Sequence, residues 1–284
     1  MTIGGDMPIA LMMALEGAGA VAAGLLGALT GLGGGIVIVP MLTLLFHVDI
    51  RYAIGASLVS VIATSSGAAA AYVREGYTNV RVGMLLEVAT TLGAILGAVM
   101  AAFVSTGAIA VVFGLVLLFS AYRATRPPPA PAPPAHADRL ATWFRLHGTY
   151  PTAEGPRDYD VSRVPLGFAL MAGAGTLSGL LGIGSGAVKV LAMDQAMGLP
   201  FKVSTTTSNF MIGVTAAASA GVYLRRGYLD PALALPVMLG VLAGALLGAR
   251  VLTGARTATL RKVFNAVLVV IALEMLYKGI TGGI

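Results

Sequence analysis

The chain has 284 residues, a formal net charge of +6 and no cysteine. Hydrophobic residues make up 57% and charged residues 11%, against about 25% charged in a soluble domain, and the mean hydropathy is +0.88. These figures exclude a soluble globular domain, and the missing cysteines exclude disulfides, thiolate metal sites and thiol nucleophiles. Apolar runs of about 20 residues recur, the length that spans a hydrocarbon core of about 30 Å, and the alternating strands of a membrane barrel are missing. The expected fold class is all-α, a polytopic helical membrane protein. The basic excess fits either the lysines and arginines of cytoplasmic loops or attraction of anions, and its scatter argues against a nucleic-acid partner.

In chain order, the first residues lack a basic leader region and carry Asp6 and Glu16, so the first apolar run is expected to be a retained span. Apolar segments follow at 8–46, 53–73, 82–104 and 107–122, and again at 165–197, 204–224, 231–252 and 262–281. Between them, from Arg123 to Val164, ten charged residues collect around "PPPAPAPP" at Pro127–Pro134, which reads as a stiff polyproline II spacer. Leu140, Trp143, Phe144 and His147 then recur at helical spacing, with the chain's one tryptophan as a candidate interfacial anchor. The expected organisation is an N-terminal membrane repeat at 1–122, a cytoplasmic linker at 123–164 and a C-terminal membrane repeat at 165–284.

The two apolar halves align without a gap when shifted by 151 positions, with 20 identities in the 75 pairs from 24/175 to 98/249. "GLGGG" at Gly31–Gly35 falls on "GIGSG" at Gly182–Gly186, and "YVREGY" at Tyr72–Tyr77 on "YLRRGY" at Tyr223–Tyr228. Apolar bias alone does not align charged and aromatic residues, so an internal duplication is the reading. The first segment of each half exceeds a single span and holds the glycine motif inside it. That pattern predicts a broken helix, or a span followed by a half-helix that returns into the membrane. Two crossings in each first segment make the halves inverted and place thirteen basic residues inside and four outside; one crossing gives parallel halves with eleven and six. The positive-inside rule favours inversion, an arrangement frequent in secondary transporters.

A helix that breaks inside a membrane exposes N–H groups and the positive end of its dipole, which suits an anion. Gly33, Gly34 and Gly35, with Gly184, Ser185 and Gly186 in the second copy, are the candidates for backbone contacts to substrate. Gly93, Gly97, Gly244 and Gly248 read instead as close helix packing. Lys189 replaces Ile38 of the first half; a lysine at this depth costs about 2.5–3.5 kcal/mol and needs a cavity or a partner, so it contacts the anion, pairs with Asp194 or snorkels. "STTTSN" at Ser204–Asn209 offers hydroxyl donors or caps, and Ser57 aligns with Ser208. Ser57, Thr206, Thr207, Ser208 and Asn209 complete the candidate substrate-binding set. Glu16, Glu87, Asp194 and Glu274 are acidic residues in apolar segments, each a weak candidate for a proton relay. His47, His136 and His147 fall in loops without metal-ligand spacing, and no nucleophile with its base can be placed, so neither a metal, a cofactor nor an enzyme activity is expected.

"GLGGGIVIVPMLTLLF", its second copy "GLLGIGSGAVKVLAMDQAMGLPFKVSTTTSNFMIG" and the central loop between duplicated halves resemble the sulfite exporter TauE/SafE family, also called the toluene sulfonate uptake permease family. The resemblance covers nearly the whole chain apart from the linker. It implies a secondary transporter of sulfur-containing anions, sulfite or organosulfonates, in the plasma membrane of a prokaryote, with export as the expected direction. Two departures matter: Ser185 interrupts the family's three adjacent glycines, and Leu191 stands where the first half has Pro40. Another small anion, or a membrane scaffold acting through the linker, are the competing readings, and small-residue faces such as Gly93/Gly97 would permit a homodimer. Deletion of "PPPAPAPP" separates transporter from scaffold: a transporter should keep its flux across liposomes, and a scaffold should lose its function.

Overall fold

The computed structural model describes residues 9–30, 35–74, 76–125, 139–152, 155–252 and 257–283. Eleven α-helices and a two-stranded hairpin make up the described residues. Helices α1 (Ile9–Thr30), α2 (Gly35–Leu44), α3 (Ile50–Arg74), α4 (Val80–Met100) and α5 (Thr106–Thr125) precede the central segment. That segment contains α6 (Arg139–Trp143), β1 (Gly148–Thr152) and β2 (Gly155–Tyr159). After it come α7 (Val164–Leu181), α8 (Gly186–Leu191), a π-helical turn at Ala192–Ala196, α9 (Phe201–Arg225), α10 (Pro231–Leu252) and α11 (Thr257–Thr281). The protein is an all-α membrane protein. Among the described residues α4, Thr106–Arg123 and α7 are long and apolar enough to cross a bilayer, and Met13–Leu25, Gly35–Leu44, Ile50–Ser66 and Pro231–Leu247 are shorter apolar helical stretches. On α4 the side chains at Met84, Val88, Leu92 and Leu96, four residues apart, are all exposed; such a stripe suits lipid tails and would be unfavourable in water.

Local sequence explains the helix ends. Asn79 starts α4 by accepting the N–H of Val82 at 3.0 Å. Pro165 stands in the first turn of α7, where its missing N–H leaves no helical bond unmade. Gly182 stops α7 in a left-handed conformation (φ +69°) and donates its N–H to Ser178 O at 2.8 Å.

Glycines then decide which helices meet. α1 packs on α10, α4 on α7, α3 on α9 and α5 on α11. Gly93 and Gly97 of α4 lie against the carbonyls of Ala172 and Thr176, while Gly175 and Gly179 of α7 lie against those of Thr90 and Ala94. Gly24 rests on Val241 O, and Gly244 on Val21 O. These contacts bring backbones together with no side chain between them, the geometry expected of small-residue faces in a membrane. The packing role expected of Gly93, Gly97 and Gly244 is observed, and the surroundings of Gly248 lie outside the described residues. The contacts also repeat: the Gly93–Ala172 approach recurs 151 positions on as Gly244 against Val21, and Gly24 against Val241 recurs as Gly175 against Thr90. Helices α4 and α7 run in the same direction, as do α1 and α10. The corresponding pairs run antiparallel: Gly55 near the start of α3 meets Tyr228 beyond the end of α9, and Gly107 of α5 meets Gly279 of α11.

The central segment is more than a spacer. Its polyproline stretch at 127–134 lies outside the described residues, but 139–152 and 155–163 fold onto the membrane helices. α6 ends at Trp143, shorter than the periodicity suggested, and Trp143, Phe144 and Leu140 are exposed. Ala141, Leu146 and Val161 bury, in a cluster with Val82, Leu86, Met193, Met197 and Val203. Asn79 clamps this segment by donating its side-chain N–H groups to Leu146 O at 2.9 Å and Tyr159 OH at 2.8 Å.

Gly175 has backbone at the place a Cβ would occupy, while Gly173 on the same helix has open space. Gly175→Ala should therefore lower the thermal midpoint in detergent, as overpacking by about 1–3 kcal/mol requires. Gly173→Ala should leave it unchanged or raise it by up to about 1 kcal/mol of helix propensity.

Candidate functional site

The break in the second long apolar segment falls on its glycine motif. After α7 ends, Gly182, Gly184 and Ser185 all take positive φ, at +69°, +71° and +46°. The left-handed angle is cheap for the glycines and costly for Ser185. Helical geometry resumes at Gly186 and continues through Ala196. The whole stretch from Leu181 to Gly186 is buried, so its backbone groups must find partners inside the protein. The Ser185 hydroxyl is also buried and has no hydrogen-bond partner.

The corresponding motif of the first segment stands between α1 and α2, and its residues 31–34, Gly33 and Gly34 among them, fall outside the described residues. Gly35, the first residue of α2, is described. A Cβ added to it would sit 2.9 Å from Ser57 Oγ and 3.0 Å from Gly182 O. The start of α2 thus meets the break after α7, with Ser57 and Val61 beside both. Ser57 donates its hydroxyl to Gly182 O at 2.8 Å and so satisfies a carbonyl that α7 leaves open. Val61 flanks the same place: a Cβ on Gly35 would lie 2.9 Å from it, and one on Gly184 would lie 3.4 Å away. Ser208, the residue aligned with Ser57, donates to Gly186 O at 3.3 Å.

Not all the hydroxyl residues belong here. Thr206 donates to Tyr77 O at 3.0 Å, and Thr207 accepts the Asn79 N–H at 3.0 Å. Both hold the turn between α3 and α4 and neither reaches the glycine breaks through these bonds. Asn209 is half-buried on α9. Gly35, Ser57, Gly184, Ser185, Gly186 and Ser208 are brought together; Thr206 and Thr207 serve a turn.

Lys189 lies on the first turn after the break and is fully buried. Its ammonium donates to Thr215 Oγ1 at 2.6 Å. The Thr215 hydroxyl in turn donates to Glu87 Oε1 at 2.7 Å, with the Met211 carbonyl as a longer alternative at 3.0 Å. The expected Asp194 pairing is not what this lysine makes: through Thr215 it reaches Glu87, on α4. Asp194 sits in the π-helical turn with Arg123 as its charged neighbour. Glu274 forms an i,i+4 pair with Lys278 at 3.9 Å on an exposed face. Thr215 is the residue that sequence reasoning missed. Its signals were indirect: it aligns with Thr64 in the other half, and Lys189 and Glu87 are opposite charges in separate apolar segments. No group of three or more His, Asp or Glu side chains that could hold a metal occurs among the described residues.

A family model described as sulfite exporter TauE/SafE matches residues 17–275. The chain belongs to the sulfite exporter TauE/SafE family. Among curated relatives, a probable membrane transporter protein of Bacillus subtilis (strain 168), YunE, is 30% identical over 266 residues, covering 91% of this chain and 95% of the relative. A second from the same organism, YdhB, is 27% identical over 221 residues, 78% of this chain and 82% of the relative. A probable membrane transporter protein of Xylella fastidiosa (strain 9a5c) is 26% identical over 280 residues, 96% of this chain and 97% of the relative. No solved structure matches the chain. The TauE/SafE chain is accordingly a membrane transporter.

Ser57→Ala should orphan the buried Gly182 carbonyl and lower the thermal midpoint, a loss of about 1–3 kcal/mol. Ser66→Ala, which removes an exposed hydroxyl bonded to Ile62 O of its own helix, should change the midpoint little.

Proposed function

We propose that this TauE/SafE protein carries small sulfur-containing anions, sulfite or an organosulfonate, out of a prokaryotic cell across its plasma membrane, as a secondary transporter. The observation that carries the reading is the contact of Gly35, the first residue of α2, with Ser57 and Gly182 at the break after α7. Two helices restart there, and each restarts with N–H groups that no helical carbonyl accepts. Oxyanions are the ligands such groups hold best. The partnerless Ser185 hydroxyl and the charge of Lys189 add a donor and a counter-ion. In this reading Gly33, Gly34, Gly35, Gly184, Ser185 and Gly186 contact the anion through the backbone. Ser57, Ser208 and Asn209 lie around it, Lys189 supplies charge, and Thr206 and Thr207 stabilise the neighbouring turn.

The halves 1–122 and 165–284 are inverted repeats in this reading. Support comes from α3 and α9, and from α5 and α11, which correspond in sequence yet pack antiparallel. A two-fold axis in the membrane plane produces that relation and also puts the substrate at the repeat interface. The linker at 123–164 lies on the cytoplasmic side, where its six basic residues belong.

Reconstitution in liposomes tests the proposal through uptake of labelled sulfite, sulfate and a small organosulfonate. Flux of one of them that the others inhibit is expected. Gly184→Val, which places a β-branched side chain at φ +71° against Ile212, should reduce flux at least about tenfold through backbone strain of about 1–3 kcal/mol. No flux of any of the three, from protein that remains folded, would remove sulfur oxyanions as substrates.

A further inference from the structure

The start of the described central segment turns its large apolar side chains outward. On α6 and the turn after it, Ala141 and Leu146 are buried, while Leu140, Trp143 and Phe144 are exposed, Trp143 to 75%. The Trp143 and Phe144 rings meet edge to face with centroids 4.4 Å apart. Phe144 donates its N–H to Leu140 O at 2.9 Å and Leu146 donates to Ala141 O at 2.9 Å, so the turn is closed by its own backbone. Ala141 and Leu146 anchor one side of it on the membrane helices and leave the rings on the other. Rings gathered in this way are unfavourable in water.

Arg81 fixes where this patch lies. It stands in the first turn of α4, and its guanidinium donates to Arg145 O at 3.2 Å. α4 is long and apolar enough to cross a bilayer, so its first turn marks one bilayer face. Val80 and Met84 are exposed there and lead into the lipid-facing stripe of Val88, Leu92 and Leu96. Trp143 and Phe144 immediately precede Arg145 and so stand beside the start of that stripe, at the level where headgroups meet acyl chains. Aromatic rings favour that level. Charge gathers at the same place: Arg81, Arg145 and Arg139, the first residue of α6, are all exposed. Among the described residues none of these three arginines pairs with a carboxylate. Asp158 and Asp160, the carboxylates of the described central segment, belong to β2 and the residues after it, not to α6.

We infer that the turn at 139–146 is a binding surface for anionic phospholipid. Leu140, Trp143 and Phe144 enter the interfacial layer, and Arg81, Arg139 and Arg145 hold the phosphates of the headgroups around them. Two features fix the occupant. The patch continues a helix face suited to acyl chains, and guanidinium forks match pairs of phosphate oxygens. A zwitterionic headgroup brings its own cation to the phosphate, whereas phosphatidylglycerol leaves the phosphate charge for the arginines to meet. The surface is separate from the glycine breaks and serves whichever anion the protein carries. It also holds the central segment in place from the lipid side. Asn79 holds the same segment from within through Leu146 O, and Ser162 ties its end to Met197 O at 3.0 Å.

Trp143 is the chain's one tryptophan, so its fluorescence reports this surface alone. The test places the full chain in nanodiscs of phosphatidylcholine with a minor fraction of phosphatidylglycerol. Bromine, a contact quencher, is carried on the acyl chains of the phosphatidylglycerol in one preparation and of an equal amount of phosphatidylcholine in the other. Lipid composition is otherwise identical. Label on phosphatidylglycerol should quench Trp143 at least about twofold more strongly, since each arginine near an anionic surface favours it by about fivefold. Raised salt should bring the two labels together. So should Arg139→Gln combined with Arg145→Asn, with the thermal midpoint of wild type; asparagine suits the φ of +53° at position 145. The wild-type comparison decides the matter even where the double variant fails to fold. Equal quenching by the two labels at low salt overturns the selection of anionic lipid. Quenching by neither label overturns the lipid surface altogether, and a dimer in which Trp143 is shielded would assign the patch to a second copy of this chain.

Discussion

A helix that ends within a bilayer leaves carbonyl groups that water cannot reach, and one hydroxyl meets that demand here. Ser57 Oγ donates to Gly182 O at 2.8 Å, and Gly35, at the start of α2, closes over both. Without a donor at this point the Gly182 carbonyl would stay unpaired beside the reversal of backbone hand at Gly182, Gly184 and Ser185. The irregular backbone is tolerated because protein surrounds it on every side: Ile54 and Val61 from α3, Ile212 from α9, and Gly35 from α2. The same enclosure raises the strength of every dipole left unpaired inside it. A membrane helix can be interrupted only where other helices replace the water.

Glycine provides the enclosure by a second, independent route. Against lipid there is little hydrophobic gain in joining two apolar helices, so association depends on close contact. At Gly93, Gly97, Gly175 and Gly179 the contact is backbone on backbone, which fixes the register of α4 on α7 to within a residue. That register also carries Glu87 of α4 to Thr215 of α9 and hence to Lys189. Packing glycines and the charges they align are therefore not separable: a slip of one turn along α4 would separate Glu87 from Thr215 by about 5.4 Å.

Much of this was legible in the sequence. The two glycine motifs, their spacing of 151 residues and the excess length of the segments holding them located the interruption at 182–185, because three adjacent small residues are poor helix interior whatever surrounds them. Ser57 was reachable through its alignment with Ser208. Thr206 and Thr207 were not separable from Ser208 by the same logic: neighbouring hydroxyls on a helix point in different directions, and only the position of the Tyr77–Asn79 turn decides which of them is used there. Thr215 did not stand out, since a threonine in an apolar helix usually bonds its own backbone, as Thr215 also does to Met211 O. The hairpin at 148–159 was hidden by its prolines and charges, which read as loop; among the described residues its strands pair only with each other, and Tyr150 and Tyr159 dock it, the latter accepting from Asn79.

The pairing of α1 with α10 also bears on how the chain is made. Gly24 finds the Val241 carbonyl, and Gly244 the Val21 carbonyl, yet more than two hundred residues separate these partners in the chain. During synthesis α1 enters the membrane long before α10 exists, with its glycine face turned toward lipid. α4 waits in the same way for α7. Neither half can complete its own packing, so the first half must remain in the bilayer as a loosely held set of helices until the second arrives to lock it. Whatever assists insertion of this protein has to shield those bare backbone faces in the interval, and chains truncated before α10 would be exposed to membrane proteases at α1.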